Sequence, residues 1–294
     1  MVLFAVDPAV RGYLAALTER CAAILGSELV GVYAAGSLAL DAYQPGRSDI
    51  DVAVVCTTAL ARPEKEAIVQ ALRHESLACP ARGLELVVYR ADVAAAGGSE
   101  PGFEVELNTG ARMDFRATYA GQDRRPEDGT FWYAIDRSIL AECGRAVSGP
   151  PAQEIFRSVS EPALVDLLIA SLRWHLGPSP DADQPDDAAD QSDDADAGLS
   201  WTDDAVLNAC RAWQRVSTGH WSSKVTAGEQ VLTDQPDIAA GGTTRLDDGH
   251  GLDRAVVRQA LQARDGGAPP GVSQAREFQR HVLVSLERMA TSRP

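Results

Sequence analysis

A chain of 294 residues with 45% hydrophobic residues can bury the cores of two ordinary domains. Its formal net charge of −15 argues against the basic face that nucleic-acid binding requires, and it suits a cationic small molecule. Cys21, Cys56, Cys79, Cys143 and Cys210 show no CxxC spacing, so reduced thiols of a cytoplasmic protein are expected, not disulfides or a zinc site.

The first ten residues, MVLFAVDPAV, lack the basic and apolar regions of a signal peptide. No apolar run approaches the ~20 residues that span a bilayer. Residues 8–26 carry apolar side chains at helical spacing, with Pro8 suited to a first turn and Gly26 to an end. "ELVGVYAAG" reads as a strand ending at a glycine, and "DIDVAVVC" as a second strand. "PEKEAIVQALRHESL" is an amphipathic helix. "LELVVYR" and "GFEVELNTG" read as a third and fourth strand, and "TFWYAIDRSILAEC" returns to helical periodicity.

"SGPPAQEIF" contains a proline pair and reads as a hinge, which divides the chain into residues 1–149 and 150–294. Beyond it the patterns are helical: "SEPALVDLLIASLRWHL", "WTDDAVLNACRAWQRVSTG", "DRAVVRQALQAR" and "VSQAREFQRHVLVSLERMA". The segment from about 178 to 198 is rich in Asp and has no aromatic residue, so a flexible acidic loop is expected there. The fold class is therefore α+β: an N-terminal domain with a small mixed sheet, then a C-terminal helical bundle.

Chemistry concentrates in "GSLALDAYQPGRSDIDVAVV", Gly36 to Val55. Alternate residues of a strand share a face, so Asp49 and Asp51 point one way while Ile50, Val52 and Val54 point the other. Two carboxylates that close repel unless a cation lies between them or water solvates both. Glycine lets the backbone approach a phosphate, and a serine hydroxyl can donate to it. Paired carboxylates suit Mg²⁺, which takes oxygen ligands and shares them with phosphate. A third acid, Glu85 on the next strand, could ligate a metal or take a proton from an attacking hydroxyl.

The ordered set of strand, Gly-Ser, short connector, Asp-x-Asp and a further acid resembles the nucleotidyltransferase superfamily related to DNA polymerase beta. Over Ala15 to Leu232, "GVYAAGSLALDAYQPGRSDIDVAVV", "ELNTG", "GPPAQEIF" and "LNACRAWQRVSTGHWSSKVTAGE" resemble the aminoglycoside 3''-adenylyltransferases. That resemblance implies a nucleotidyltransferase domain followed by a helical bundle, with ATP and substrate in the cleft between. It implies ATP as co-substrate, two Mg²⁺ ions, and transfer of AMP to a hydroxyl of a streptomycin- or spectinomycin-like antibiotic. Asp49 and Asp51 match the magnesium ligands. Glu85 matches the general base and is also a candidate ligand. Gly36, Ser37 and Ser48 fall on the nucleotide side, and Arg211 and Lys224 match basic residues that reach the phosphates.

Trp174 aligns with a tryptophan on the substrate side, although a lone Trp on an apolar helix ordinarily packs in a core. The family's acidic substrate contact falls on Trp201 here, and a small register shift would bring Asp203 or Asp204 to it. Arg112, Asp136 and Arg137 are further cleft candidates without a spacing argument. His175, His220 and His250 show no metal spacing. The expected partners are ATP and a cationic aminoglycoside, with no nucleic acid, no membrane and a monomeric chain. The alternatives are a same-fold enzyme acting on a protein or RNA, and a nucleotide-binding protein without catalysis.

Overall fold

The computed structural model describes residues 7–124, 128–177, 201–233 and 253–291. The acidic segment expected at 178–198 lies outside the described residues. The chain divides into two compact units, Met1–Leu164 and Val165–Pro294.

The first unit is built on six strands: β1 (Leu29–Ala34), β2 (Ile50–Cys56), β3 (Leu84–Arg90), β4 (Phe103–Gly110), β5 (Met113–Thr118) and β6 (Arg145–Ser148). They form one sheet in the order β5-β4-β3-β2-β1-β6. Only β2 and β3 pair in parallel; the other neighbours are antiparallel. A parallel pair needs a crossover, and it is supplied by α3 (Arg62–Leu72). β1 and β2 are the most apolar strands, and both sit inside the sheet.

One face carries Val32, Ile50, Val52, Val54, Leu84, Leu86, Val88, Val105 and Leu107. It buries against α3 and α1 (Pro8–Leu25) through Leu14, Leu17, Ile68 and Leu72. Asp7 caps α1 by accepting the Ala9 N–H at 2.8 Å, and Pro8 occupies the first turn, as its fixed φ allows. The opposite face carries Tyr33, Val55, Tyr89 and Phe103. It is covered by α4 (Ala91–Ala96), α5 (Phe131–Cys143) and α6 (Ala152–Ile155), which contribute Ala94, Tyr133, Leu140 and Ala152, with Phe156 just beyond α6. The "SGPPAQEIF" stretch lies in this unit: Ser148 pairs with Val32, and Phe156 packs edge-on to Tyr33 at 5.2 Å.

In the second unit, α8 (Trp201–Thr218) packs on α9 (Lys224–Thr233), α10 (Arg254–Arg264) and α11 (Val272–Thr291). Val206, Leu207, Cys210, Val257, Phe278, Val282 and Leu286 fill its interior. The division between units falls within α7 (Glu161–Leu176). All five cysteines are free. Among the described residues, no helix is long and apolar enough to cross a membrane.

Candidate active site

β1 runs out at Ala34, and the Ala35 N–H donates to the Asp51 carbonyl at 2.9 Å. The chain then turns at Gly36, with φ +49°, into the single turn α2 (Gly36–Ala39). A Cβ at Gly36 would meet the Asp51 carboxyl carbon at 2.5 Å, so only glycine lets the turn lie against that acid. The next residue, Ser37, holds its Oγ buried with no hydrogen-bond partner. An unsatisfied buried hydroxyl costs about 1–3 kcal/mol, which a phosphate oxygen arriving at this turn would relieve.

Four strands contribute one polar row. Asp51 on β2 stands opposite Glu85 on β3, Glu85 opposite Asn108 on β4, and Asn108 opposite Arg116 on β5. Directly opposed residues share a face of the sheet. Acid, acid, amide and guanidinium therefore stand side by side on the face that also carries Gly36. Asp49, one residue ahead of β2, accepts a hydrogen bond from Arg82 Nη2 at 3.0 Å. Glu85 makes no hydrogen bond or ion pair among the described residues. Burial pushes its carboxyl up to about 7, reinforced by the charges of Asp49 and Asp136 and opposed by Arg82 and Arg116. That value lies near the pH at which a general base works best.

The other cleft candidates separate. Asp136 on α5 is exposed and its charge acts on Glu85. Arg112, next to β5, donates to the Gly46 carbonyl at 2.7 Å. Arg137 does not line a cleft. It is 1% exposed and ties down the 98–101 loop, donating to the carbonyls of Gly98, Glu100 and Pro101. Ser48 closes the loop ahead of β2, its Oγ accepting the Gln44 N–H at 3.0 Å.

The second unit gathers the remaining candidates on α8 and α9. Lys224 Nζ contacts Asp204 at 3.0 Å. Arg264 contacts Asp204 and also reaches Asp203 at 3.3 Å. Asp203 is 1% exposed. Burial pushes the Lys224 ammonium down, and Asp204 opposes the shift. The guanidinium of Arg211 lies 5.9 Å from the ring centre of Trp221. Trp174 is not a core residue: its side chain is 46% exposed and meets His175 edge-on at 5.2 Å. Trp201 opens α8, and only its backbone is described. His175 Nδ1 bonds the Ser171 carbonyl at 2.8 Å, a local helix contact.

Sequence reasoning passed over Arg82, Asn108 and Arg116. Asn108 lay inside the quoted "ELNTG", but its pairing with Glu85 depends on strand order, which no local pattern reveals.

The donor set fits magnesium in one respect. Asp49 and Asp51 offer oxygen ligands near the Gly36–Ser37 turn, and Mg²⁺ ordinarily takes one or two carboxylates and completes its shell with phosphate and water. The described residues contain no group of three or more His, Cys, Asp or Glu close enough to hold a metal by themselves.

No protein-family model matches the chain, and no curated protein does. Among solved structures, the chain is similar to spectinomycin adenyltransferase AAD(9) from Enterococcus faecialis, solved with ATP and spectinomycin. The TM-score is 0.59 at 14% identity, over 94% of this chain and 98% of the other. The two share a fold.

Proposed function

We propose that the protein transfers AMP from ATP to a hydroxyl of an aminoglycoside or aminocyclitol and releases pyrophosphate. The observation that carries this reading is the direct opposition of Asp51 and Glu85 beside the Gly36–Ser37 turn. The likeness of fold to an enzyme solved with ATP and spectinomycin supports it.

Gly36 and Ser37 would cradle the phosphates, with the unpartnered Ser37 hydroxyl donating to one of them. Asp49 and Asp51 would hold Mg²⁺, which when bound neutralises phosphate charge and makes the phosphorus easier to attack. Glu85 would take the proton of the acceptor hydroxyl as its oxygen bonds to the α-phosphorus and the bond to pyrophosphate breaks. Burial raises its carboxyl to about 7 without metal, and a cation on Asp49 and Asp51 would draw it back toward the ionised, proton-accepting form. In the second unit the reading assigns Arg211 and Lys224 to the triphosphate, and Trp174 with Asp203 or Asp204 to the antibiotic. Streptomycin- and spectinomycin-like acceptors, a role in antibiotic resistance and a cytoplasmic monomer belong to the same proposal.

The test is incubation with ATP, Mg²⁺ and a panel of aminoglycosides and aminocyclitols, read by mass spectrometry. An acceptor carrying one added AMP is the expected product. Release of pyrophosphate with no modified acceptor from the panel would reject the acceptor class.

A further inference from the structure

Glu85 opens on a cavity of about 520 Å³ in the first unit, walled by β3, β4, β5 and the turns beside them. That volume is in the range of small-molecule sites. Most of its polar wall is already engaged. Arg82 donates to Asp49 at 3.0 Å, Arg112 to the Gly46 carbonyl at 2.7 Å, and Arg116 to the buried Glu106 at 3.0 Å. The guanidinium groups are thus tied to the protein's own oxygens, and two of the three charges are matched by a carboxylate.

Asn108 stands apart from them. It is the one uncharged polar residue in that wall, and its side chain makes no hydrogen bond among the described residues. It is half-buried on β4. Two residues earlier along the same strand, Glu106 is met by Arg116 and Arg124. Asn108 has no such partner. It lies directly opposite Glu85 in the antiparallel register, an arrangement that sets the two Cβ atoms about 4.5–5.5 Å apart. On its other side it lies opposite Arg116, whose guanidinium is held by Glu106. A side-chain amide donates through Nδ2 and accepts through Oδ1. Two hydrogen-bonding side chains placed side by side in one wall can each take one of two polar groups on neighbouring carbons of a sugar or cyclitol ring.

We propose that Asn108 is a second contact for the acceptor: while Glu85 meets the reacting hydroxyl, the Asn108 amide hydrogen-bonds the hydroxyl or amino group on the adjacent ring carbon. The inference rests on Glu85 as the group that meets the acceptor. A single contact leaves the ring free to turn about its hydroxyl, whereas two contacts fix which hydroxyl is presented. An uncharged amide suits the position. A carboxylate there would add like-charge repulsion beside Asp51 and Glu85, and a cation would pair with Glu85 and occupy the base. The amide serves a hydroxyl by donating to it and an ammonium by accepting from it, so it fits the cationic acceptor class.

Kinetics with streptomycin and spectinomycin test it on the full chain, beside calorimetry of the same compounds with Mg²⁺ and a non-hydrolysable ATP analogue. Asn108→Leu keeps the size and removes both hydrogen-bonding groups. The KM for the acceptor rises about tenfold, the loss of one hydrogen bond, and the calorimetric affinity falls by the same factor. Affinity for the analogue with Mg²⁺ stays within about twofold, since Asn108 does not touch the phosphate turn. Asn108→Val, with a side chain suited to strands, gives the same pattern and covers the case in which leucine disturbs β4. Unchanged acceptor KM and affinity in both variants overturn the proposal and leave AMP transfer standing. Equal loss of acceptor and nucleotide affinity also overturns it, because Asn108 would then be a support of the sheet. Acceptor binding that depends on Asn108 without any adenylylated product rejects the transfer reading and leaves the contact standing. Failure of both antibiotics to bind or to be modified overturns the two together.

Discussion

Carboxylates cluster in both units, and their surroundings differ. In the second unit Asp203 and Asp204 are matched by Arg264 and Lys224, so the cluster is close to charge balance within itself. In the first unit Asp49 has Arg82, but Glu85 has no hydrogen bond or ion pair among the described residues, and Ser37 Oγ is buried without a partner. A buried ion pair helps to hold a fold in one arrangement, even though Arg264 Nε makes no hydrogen bond. Groups left short of partners have free energy to gain from a ligand. On the proposed reading, metal and phosphate chemistry lies on the sheet, and the Asp203–Arg264 ion pair has a share in stability beside the antibiotic contact proposed for Asp203 or Asp204.

The variant expected to separate the two regions most widely is Asp49→Asn. Turnover falls roughly a thousandfold, the scale on which catalytic electrostatic contacts act. Stability changes by less than about 1 kcal/mol, since the Asp49–Arg82 pair is partly exposed. Activity assays beside thermal melts check both halves, and an active Asp49→Asn protein would remove the metal-site reading. Glu85→Gln keeps the shape and removes the basicity. Turnover falls about a hundredfold or more, while ATP–Mg²⁺ affinity by calorimetry stays near that of the parent. Equal loss of affinity in Glu85→Gln and Asp49→Asn would make Glu85 a ligand and not the base.

Asp203→Ala should show the opposite pattern. Its removal leaves Arg264, whose side chain is 10% exposed, with Asp204 as its remaining carboxylate. The loss is about 1–3 kcal/mol, the cost of a buried polar group that loses a partner, and appears as a lowered denaturant midpoint. A variant of unchanged stability that no longer accepts antibiotic would turn Asp203 from a strut into a substrate contact.

The pH dependence of stability sharpens the same contrast. The folded carboxyl of Glu85 sits at about 7 against an ordinary 4.5, so the folded state holds its proton more tightly than the unfolded chain. Its contribution is complete below pH 4.5 and is lost as pH rises to 7. Denaturant titrations of parent and Glu85→Gln, in the absence of nucleotide and metal, should diverge across that window, with the Gln variant the more stable at pH 7. Parallel curves would mean that the carboxylate is well solvated.

Much of the fold was legible in the sequence because burial leaves a period. β1 to β4, and helices α1, α3, α5, α7, α8, α10 and α11, follow apolar spacing closely. The short helices α2, α4 and α6 escaped for want of length, and three other elements for want of apolar signal. β5 is a sheet edge whose Asp114, Phe115 and Arg116 are exposed, β6 is four half-buried residues, and α9 carries Gly228 at its centre. In the candidate site, Gly36, Ser37, Asp49, Asp51 and Glu85 were singled out by the order of strand, Gly-Ser, Asp-x-Asp and a further acid, and the fold sets Asp51 against Gly36 and opposite Glu85. The arginines could not, since Arg82, Arg112 and Arg116 meet only through the order of β3, β4 and β5. β4 misleads in another way. Glu104, Glu106 and Asn108 alternate as a water-facing strand would, yet both glutamates are buried, with Lys65 and Arg90 on one and Arg116 and Arg124 on the other. Trp174 misleads in the opposite sense, for an apolar helix presents it to solvent.

The smallest expected effect belongs to Lys224. Its contact with Asp204 involves two side chains about a third exposed, and Asp204 keeps Arg264 when the lysine is gone. Lys224→Met preserves the aliphatic stem and removes only the charge. Stability should therefore move by less than about 1 kcal/mol. If Lys224 reaches the triphosphate during turnover, as the proposed reaction assigns it, the KM for ATP rises several-fold while Asp203→Ala, in the same cluster, leaves it alone. That split would show that the balanced cluster lends one of its charges to the nucleotide. A Lys224→Met protein with an unchanged KM and kcat would place Lys224 with Asp203, as part of the frame and not of the chemistry.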